Sequence, residues 1–554
     1  MKKWFSLGLV VTILAGLLSL QCAMMDWNRI ANAAVGENQA NSAGQTVTLS
    51  IAQKKAMEKV YRIIPESKSY QIVRLNEYES QDVWVLYLSN PHADKTSPDS
   101  IDGAYLSLDA TTGELLSYHS AVSVSHQPRV FSREIAIQRA DAFIKELYGD
   151  EAGLYRTSAN VNSVWINKID GKDVGGASIT ASYSPLINGV PYVGRTIRVT
   201  VDAWGKIIAF SQYDRTELDH SVFVHPDKAV LTPATAKDVL ERGITMELVY
   251  LPTWSQMNNS GKTMLVYLVK AGPVGINAVS GKNFYWFGSN NLEEQLITIN
   301  GQGKKLVAQD RREANMLLQT HFGENLRGVT KEGEKRWGNG EVSYYWSKDF
   351  PGDEFGIKYE LTTNSSGEVL NFVTLGDYWQ NLPVNPTAVK FSRDEARIIA
   401  QEFMETVSPL GTRTMLMSTN APFRAPSWVE PSVRDLLQVA DNRFLNLYFF
   451  HTHQGIPIEG TDISVQVNRE TGKVNNYYRS DFTLPTDWPD PKLAISPEKA
   501  KREYLDNTPL QMAYIWPKLF EYSAPAPSLF YIAGNEENWE YIDAITGAMV
   551  RFYR

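Results

Sequence analysis

Apolar residues recur along this chain in two rhythms, one of helical and one of strand period, and the two alternate from end to end. In "FSREIAIQRADAFIKELYG", Ala136, Ala140, Phe143 and Leu147 fall at i, i+4, i+7 and i+11, one face of a helix. In "FSRDEARIIAQEFMETVSP" the same positions hold Ala396, Ala400, Phe403 and Val407. Lys145 and Glu405 lie off that stripe. Ser392 followed by Glu395 predicts a capping box, and Ser132 an N-cap. Alternating segments such as "VWVLYLS" and "AYLSLD" predict strands.

The pattern repeats over a long period. "LINGVPYVGRTIRVTVDAWGKIIAFSQYD" is answered by "HQGIPIEGTDISVQVNRETGKVNNYYRSDF", and "LTPATAKDVLERGITMELVYLP" by "ISPEKAKREYLDNTPLQMAYIWP". "GINAVSGK" is answered by "YIDAITGA". Matched features stay 260–267 residues apart, which marks a duplication. Thr232-Pro233 and Ser496-Pro497 each predict an N-cap followed by proline at the first helical position. A looser half-unit precedes each copy. The first opens with "LSIAQKKAMEKVYRII", where Ser50 and Gln53 fit a capping box; for the second, "RREANMLLQTHFG" is a weak candidate helix.

Six short loops punctuate the strands: "LDATTGEL", "VDAWGKI", "INAVSGKN", "LTTNSSGEV", "VNRETGKV" and "IDAITGAM". Gly113, Gly205, Gly281, Gly367, Gly472 and Gly547 close them, and Asp109, Asp202, Asn277, Asn468 and Asp543 open five. A tight hairpin needs one residue at positive φ, which glycine adopts without steric cost. Asp or Asn at its start accepts from backbone N–H groups ahead of it. That role tolerates either residue type, whereas acid catalysis or metal ligation would not, so these are expected to be structural turns.

The composition is that of a folded protein: 43% apolar and 21% charged over 554 residues, enough for several domains. The net charge of −8 argues against a nucleic-acid partner. Lys2 and Lys3, the apolar run from Trp4 to Met25 and "ANAA" at Ala31–Ala34 form an export signal. Cleavage would fall before Ala34. A retained membrane anchor stays open, since the run would reach roughly 33 Å as a helix. So does lipidation at Cys22, although Gln21 stands where a lipobox wants a small residue. On any of these readings the body of the protein is extracellular or in the cell envelope, with membrane contact only through an uncleaved N-terminus.

Chemistry-bearing motifs are few. None of the eight histidines belongs to an H-E-x-x-H helix, and His451-Thr452-His453 is the closest pair. Two histidines at i and i+2 share a strand face, so a metal is conceivable, but surface or hairpin roles suit them better. Gly-Lys-Thr at 261–263 lacks the earlier glycine of a phosphate loop, and "SPEK" at 496–499 reads as a helix cap. The expectation is no catalytic residue, no metal and no cofactor. Trp204, at a hairpin tip, is either packed against the next unit or available to a ligand.

These pieces together resemble the YcdB/YcdC repeat family of Gram-positive envelope proteins, and each half-unit resembles a PepSY domain ending in its "DAxTG" hairpin. The resemblance implies an α+β fold of tandem PepSY-like units, each a helix packed on an antiparallel β-sheet. The expected organisation is a signal or anchor at 1–33, one unit at 45–125, a YcdB/YcdC module of two units at 131–300, a degenerate unit at 305–385 and a second two-unit module at 391–554, with linkers near 120–130 and 380–390. Related domains occur in the propeptides of thermolysin-like peptidases, where they chaperone and inhibit. The resemblance therefore implies a non-enzymatic protein that binds or inhibits a secreted peptidase or another envelope protein. The alternative is an envelope scaffold or a binder of cell-wall glycan.

Overall fold

The computed structural model describes residues 47–78, 82–89, 103–120, 133–169, 172–202, 205–212, 218–229, 231–253, 255, 260–285, 292–348, 357–376, 389–422, 424–480, 482–519, 522–533 and 538–553. The N-terminal segment to residue 46, residues 121–132 and 377–388 of the two linker regions, and Trp204 lie outside these residues.

The first region runs α1 (Ile51–Ile63), β1 (Gln71–Tyr78), β2 (Val83–Ser89), β3 (Gly103–Asp109), β4 (Leu115–Ser120), α2 (Arg133–Tyr148), β5 (Tyr155–Ile169), β6 (Lys172–Ile187), β7 (Val190–Pro191), β8 (Ile197–Asp202) and β9 (Ile207–Gln212). Its strands make one nine-stranded antiparallel sheet in the order β1-β2-β3-β4-β9-β8-β6-β5, with β7 on β6. The two units thus join last strand to last strand, Tyr118 opposite Phe210. Both helices cover one face. Ala56, Met57 and Val60 of α1 and Ala136, Ala140 and Phe143 of α2 share a single core with Leu86, Leu106, Val199 and Phe210.

A short run follows: α3 (Pro233–Gly243), β10 (Thr245–Leu251), β11 (Met264–Ala271), β12 (Gly275–Asn277) and β13 (Asn283–Phe284). Next come β14 (Leu292–Gly301), α4 (Arg311–Thr320), β15 (Lys331–Arg336), β16 (Val342–Lys348), β17 (Ile357–Thr363), β18 (Val369–Gly376), α5 (Arg393–Val407), β19 (Gly411–Asn420), α6 (Pro431–Arg443), β20 (Phe444–His453), β21 (Ile456–Pro457), β22 (Ile463–Asn468) and β23 (Lys473–Arg479). These strands repeat the first sheet in the order β15-β16-β17-β18-β23-β22-β20-β19-β14, with β21 on β20. Again the units meet through their last strands, Phe372 opposite Tyr477. Ala396, Ala400 and Phe403 of α5 and Ala314 and Leu318 of α4 sit in one core with Leu361 and Val465. The weak candidate helix therefore exists as α4: Asp310 caps it, accepting from Glu313 N–H at 2.9 Å. Helix α6 is an addition between β19 and β20 that the repeat pattern did not foretell.

The chain ends with α7 (Pro497–Asn507), β24 (Leu510–Ile515), β25 (Lys518–Leu519), β26 (Tyr522–Ser523), β27 (Ser528–Ala533), β28 (Asn538–Asp543) and β29 (Met549–Tyr553). This run is the counterpart of α3 to β13 with the two-stranded β25-β26 hairpin added, but neither run forms a four-stranded sheet by itself. One four-stranded sheet has the order β10-β11-β28-β29 and the other β13-β12-β27-β24. Each sheet takes its first two strands from one run and its last two from the other. The expectation of one helix on its own sheet per unit gives way here to strands exchanged between the two modules. Ala236 and Leu240 of α3, Ala500 and Leu505 of α7, and Tyr267, Ile276, Tyr531 and Ile542 from both sheets fill one shared core.

Candidate functional site

The six loops come first, because their residues were the strongest candidates for chemistry. Asp109 Oδ1 accepts from the N–H groups of Thr111 and Thr112 at 2.8 and 2.7 Å. Asp543 does the same for Ile545 and Thr546 at 2.9 and 2.7 Å. Asn277 accepts from Val279 and Ser280, Asn468 from Glu470 and Thr471, and Asp202 from Lys206. In the fourth loop the role falls to Asn364, one residue after the strand ends, which accepts from Ser366 and Glu368. Gly113, Gly205, Gly281, Gly367, Gly472 and Gly547 all have φ between 68° and 80°.

Three of the loops share a second contact. Leu231, Phe391 and Ile495 precede a helix N-cap, and their N–H groups donate to Ala278, Arg469 and Ala544, the second residues of three loops. Each such hairpin tip is thereby tied to the start of its unit's helix. A Cβ on Gly472 would lie 2.8 Å from the Phe391 ring. The helix caps themselves form at Ser50, Ser392, Thr232 and Ser496. The Ser496 hydroxyl accepts from Lys499 N–H, which accounts for "SPEK", while Thr263 of "GKT" donates its hydroxyl to Asp487 at 2.9 Å. Ser132 lies outside the described residues.

A different cluster gathers where the modules dock. The hairpins "NGVPY" and "QGIPI" turn through Asn188-Gly189 and Gln454-Gly455, all at positive φ. Each then lays its chain against a strand of the other module. Tyr192 pairs with Tyr514, and Ile458 with Tyr250. Val193 N–H donates to Tyr514 O at 3.1 Å, and Glu459 N–H to Tyr250 O at 2.9 Å. Tyr514 donates its hydroxyl to Val224 O, and Tyr250 to Pro489 O. These backbone and hydroxyl contacts are matched between the two docks. Phe223 fills the first dock against Tyr192 and Tyr514, and Trp488 the second, stacked on His453 with ring centres 4.3 Å apart.

The docks differ in charge. Where the first has Val193, the second has Glu459 with Asp462 and Glu247 close by. Burial pushes the Glu459 carboxyl up to about 7, helped by Asp462 and Glu247. Burial also raises Asp462 and Glu247. Burial works against the Lys270 ammonium, but its bonds to Glu247, at 2.6 Å, and to Glu294 outweigh that and raise it. His451 faces Phe482 and lines a shallow cavity of about 420 Å³ with Arg413, Thr414 and Gln454. Burial, with Arg413 adding to it, lowers the imidazole to about 4, so it is neutral at ordinary pH. The two histidines thus meet different aromatic rings. Among the described residues no group of three or more His, Cys, Asp or Glu side chains is placed to hold a metal. The acids around Glu459 were invisible to sequence reasoning because they come from both modules.

The model of the YcdB, YcdC repeated domain matches residues 53–214 and 324–481, more than half of the chain. The chain belongs to the YcdB/YcdC repeat family. The matches fall on the two large sheets, each pairing a module's first half with the unit before it, and they leave the strand-exchanged region of this YcdB/YcdC protein outside. No curated protein matches it. Two solved structures show a distant likeness. The Bacillus megaterium YpeB C-terminal domain has 15% identity over 44% of this chain and 97% of that one, with a TM-score of 0.25. The WD40 domain of SCAP from fission yeast has 9% identity over 84% and 95%, with a TM-score of 0.07. At those scores neither likeness bears on fold or function.

Proposed function

We propose that this YcdB/YcdC repeat protein is a non-enzymatic binding protein of the bacterial cell envelope, exported through its N-terminal segment. Its PepSY-like units hold or inhibit a secreted peptidase by accepting one of its strands at a sheet edge. The observation that supports this is β5, fifteen residues long, which ends the first sheet with β6 as its one hydrogen-bonded neighbour in the strand order. A long edge strand is a template for β-addition. In the second sheet the counterpart of β5, β19, is covered along its length by β14, and the opposite end, β15, is short and reads "KEGEKR", a charged edge of the kind that discourages pairing. Incubating residues 34–554 with each peptidase secreted by the host tests the reading. Binding with slowed proteolysis is expected, and failure to bind or slow any of them sinks it.

A second reading, recognition of wall glycan, has its own support on the face of the second sheet opposite α4 and α5. Asn476 Nδ2 donates to Gln466 Oε1 at 3.0 Å, and Gln466 Nε2 to Asn446 Oδ1 at 2.8 Å. Tyr345 and Tyr478 stand exposed on the same face, 47% and 41% accessible, where rings can stack on sugars. Co-sedimentation with purified wall that is lost in Tyr345→Ala/Tyr478→Ala would favour it over the first.

A further inference from the structure

We infer that the second half of each module is a pairing surface whose partner is the second half of the other, so that the two modules bind each other without the peptide that joins them. Residues 231–285 and 495–553 each carry a helix and four strands of the two shared sheets, the second set adding the small β25-β26 hairpin, and neither set completes either shared sheet. β11 pairs with β28 through Val266 opposite Asp543 and Tyr267 opposite Ile542. β12 pairs with β27 through Gly275 opposite Ile532, Ile276 opposite Tyr531 and Asn277 opposite Phe530.

The bonds across this junction come in mirrored pairs. Ala278 N–H donates to Leu529 O, and Ala544 N–H to Leu265 O, both at 2.8 Å. The Tyr267 hydroxyl donates to Ile495 O at 2.8 Å, and the Tyr531 hydroxyl to Leu231 O at 3.0 Å. Both tyrosines are buried, so each bond satisfies groups that would otherwise lose water without a partner. Lys237 of α3 meets Asp506 of α7 at 2.6 Å. The two hairpin docks add a further contact on each side. Self-complementary exchange of this kind is the geometry of a two-fold dimer, here between halves of one chain.

The separate halves would expose β11 and β27 as unpaired apolar edges and open the shared core. Association is therefore coupled to completing the fold, and the partner is specific because strand register and helix contacts must match together.

The test uses the full chain with a site-specific protease sequence placed between Tyr285 and Leu292 and cut after folding. The cut protein is expected to elute as one particle at the volume of the uncut chain and to melt in the same transition. Two smaller particles would overturn the inference. Gly275 supplies the second arm: a Cβ there would lie 2.9 Å from Tyr531 O. In cut Gly275→Ala the concentration for half-dissociation should rise roughly tenfold or more, equivalent to about 1.4 kcal/mol. Gly338→Ala, where an added Cβ meets nothing within 4 Å, should not shift it. Should Gly275→Ala not fold, Tyr267→Phe/Tyr531→Phe takes its place with the same expected direction. Unchanged association in whichever variant folds would locate the affinity elsewhere and overturn the assignment.

Discussion

At Gly472 the backbone φ is 71° and the Phe391 ring fills the space a side chain would need. Gly472→Ala should therefore cost about 1–3 kcal/mol in urea unfolding. Gly205, at φ 79° with open space around it, should lose only about 1 kcal/mol as alanine. Asp543→Ala should cost about 1 kcal/mol for its two N–H bonds, whereas Asp543→Asn keeps an accepting oxygen and should be nearly neutral. Glu459 behaves differently. An acid whose folded pKa is raised stabilises the fold fully below its unfolded value, about 4.3, and loses that contribution as pH climbs through about 7. Glu459→Gln should flatten the fall in stability between pH 5 and about 8, read as the urea midpoint against wild type. His451 acts at the other end: its lowered pKa means that stability is lost as pH falls from about 6.5 towards 4. The turn residues were legible because Asp and Asn interchange freely in one position of a repeated loop. Glu459 was not, because Glu247 reaches it from the other module and leaves no mark in the sequence around it.

Among the elements, helices with paired caps and an apolar stripe were readable from local pattern, and α5 is the clearest example. Its cap bonds run both ways, Glu395 N–H to Ser392 Oγ at 3.1 Å and Ser392 N–H to Glu395 Oε2 at 2.7 Å. Ser392→Ala should cost about 1 kcal/mol, measured by thermal or urea unfolding. Helix α4 carried the analogous signal in Asp310 and Glu313, but its ten residues hold too short a stripe to stand out. Helix α6 has no counterpart in the first module, so the repeat that exposed the other helices could not point to it. The hairpins' contact with the helix starts joins residues some fifty to eighty positions apart, and only the recurring loop itself was visible.

For the whole molecule, the duplication was plain in the sequence while the exchange of strands was not. An apolar strand such as β11 has the same pattern whether its neighbour comes from its own module or from one more than 260 residues away. Mirrored construction has a measurable result. Tyr267→Phe and Tyr531→Phe remove equivalent bonds and should each cost about 1 kcal/mol, with matching unfolding midpoints. Unequal losses would show that the two sides of the junction carry different loads.

Since every strand the central sheets require is already supplied, the pairing of modules is saturated at an even number. A third module appended to this chain would find no vacancy to enter and would need a fourth to complete it, so proteins of this design should lengthen by twos.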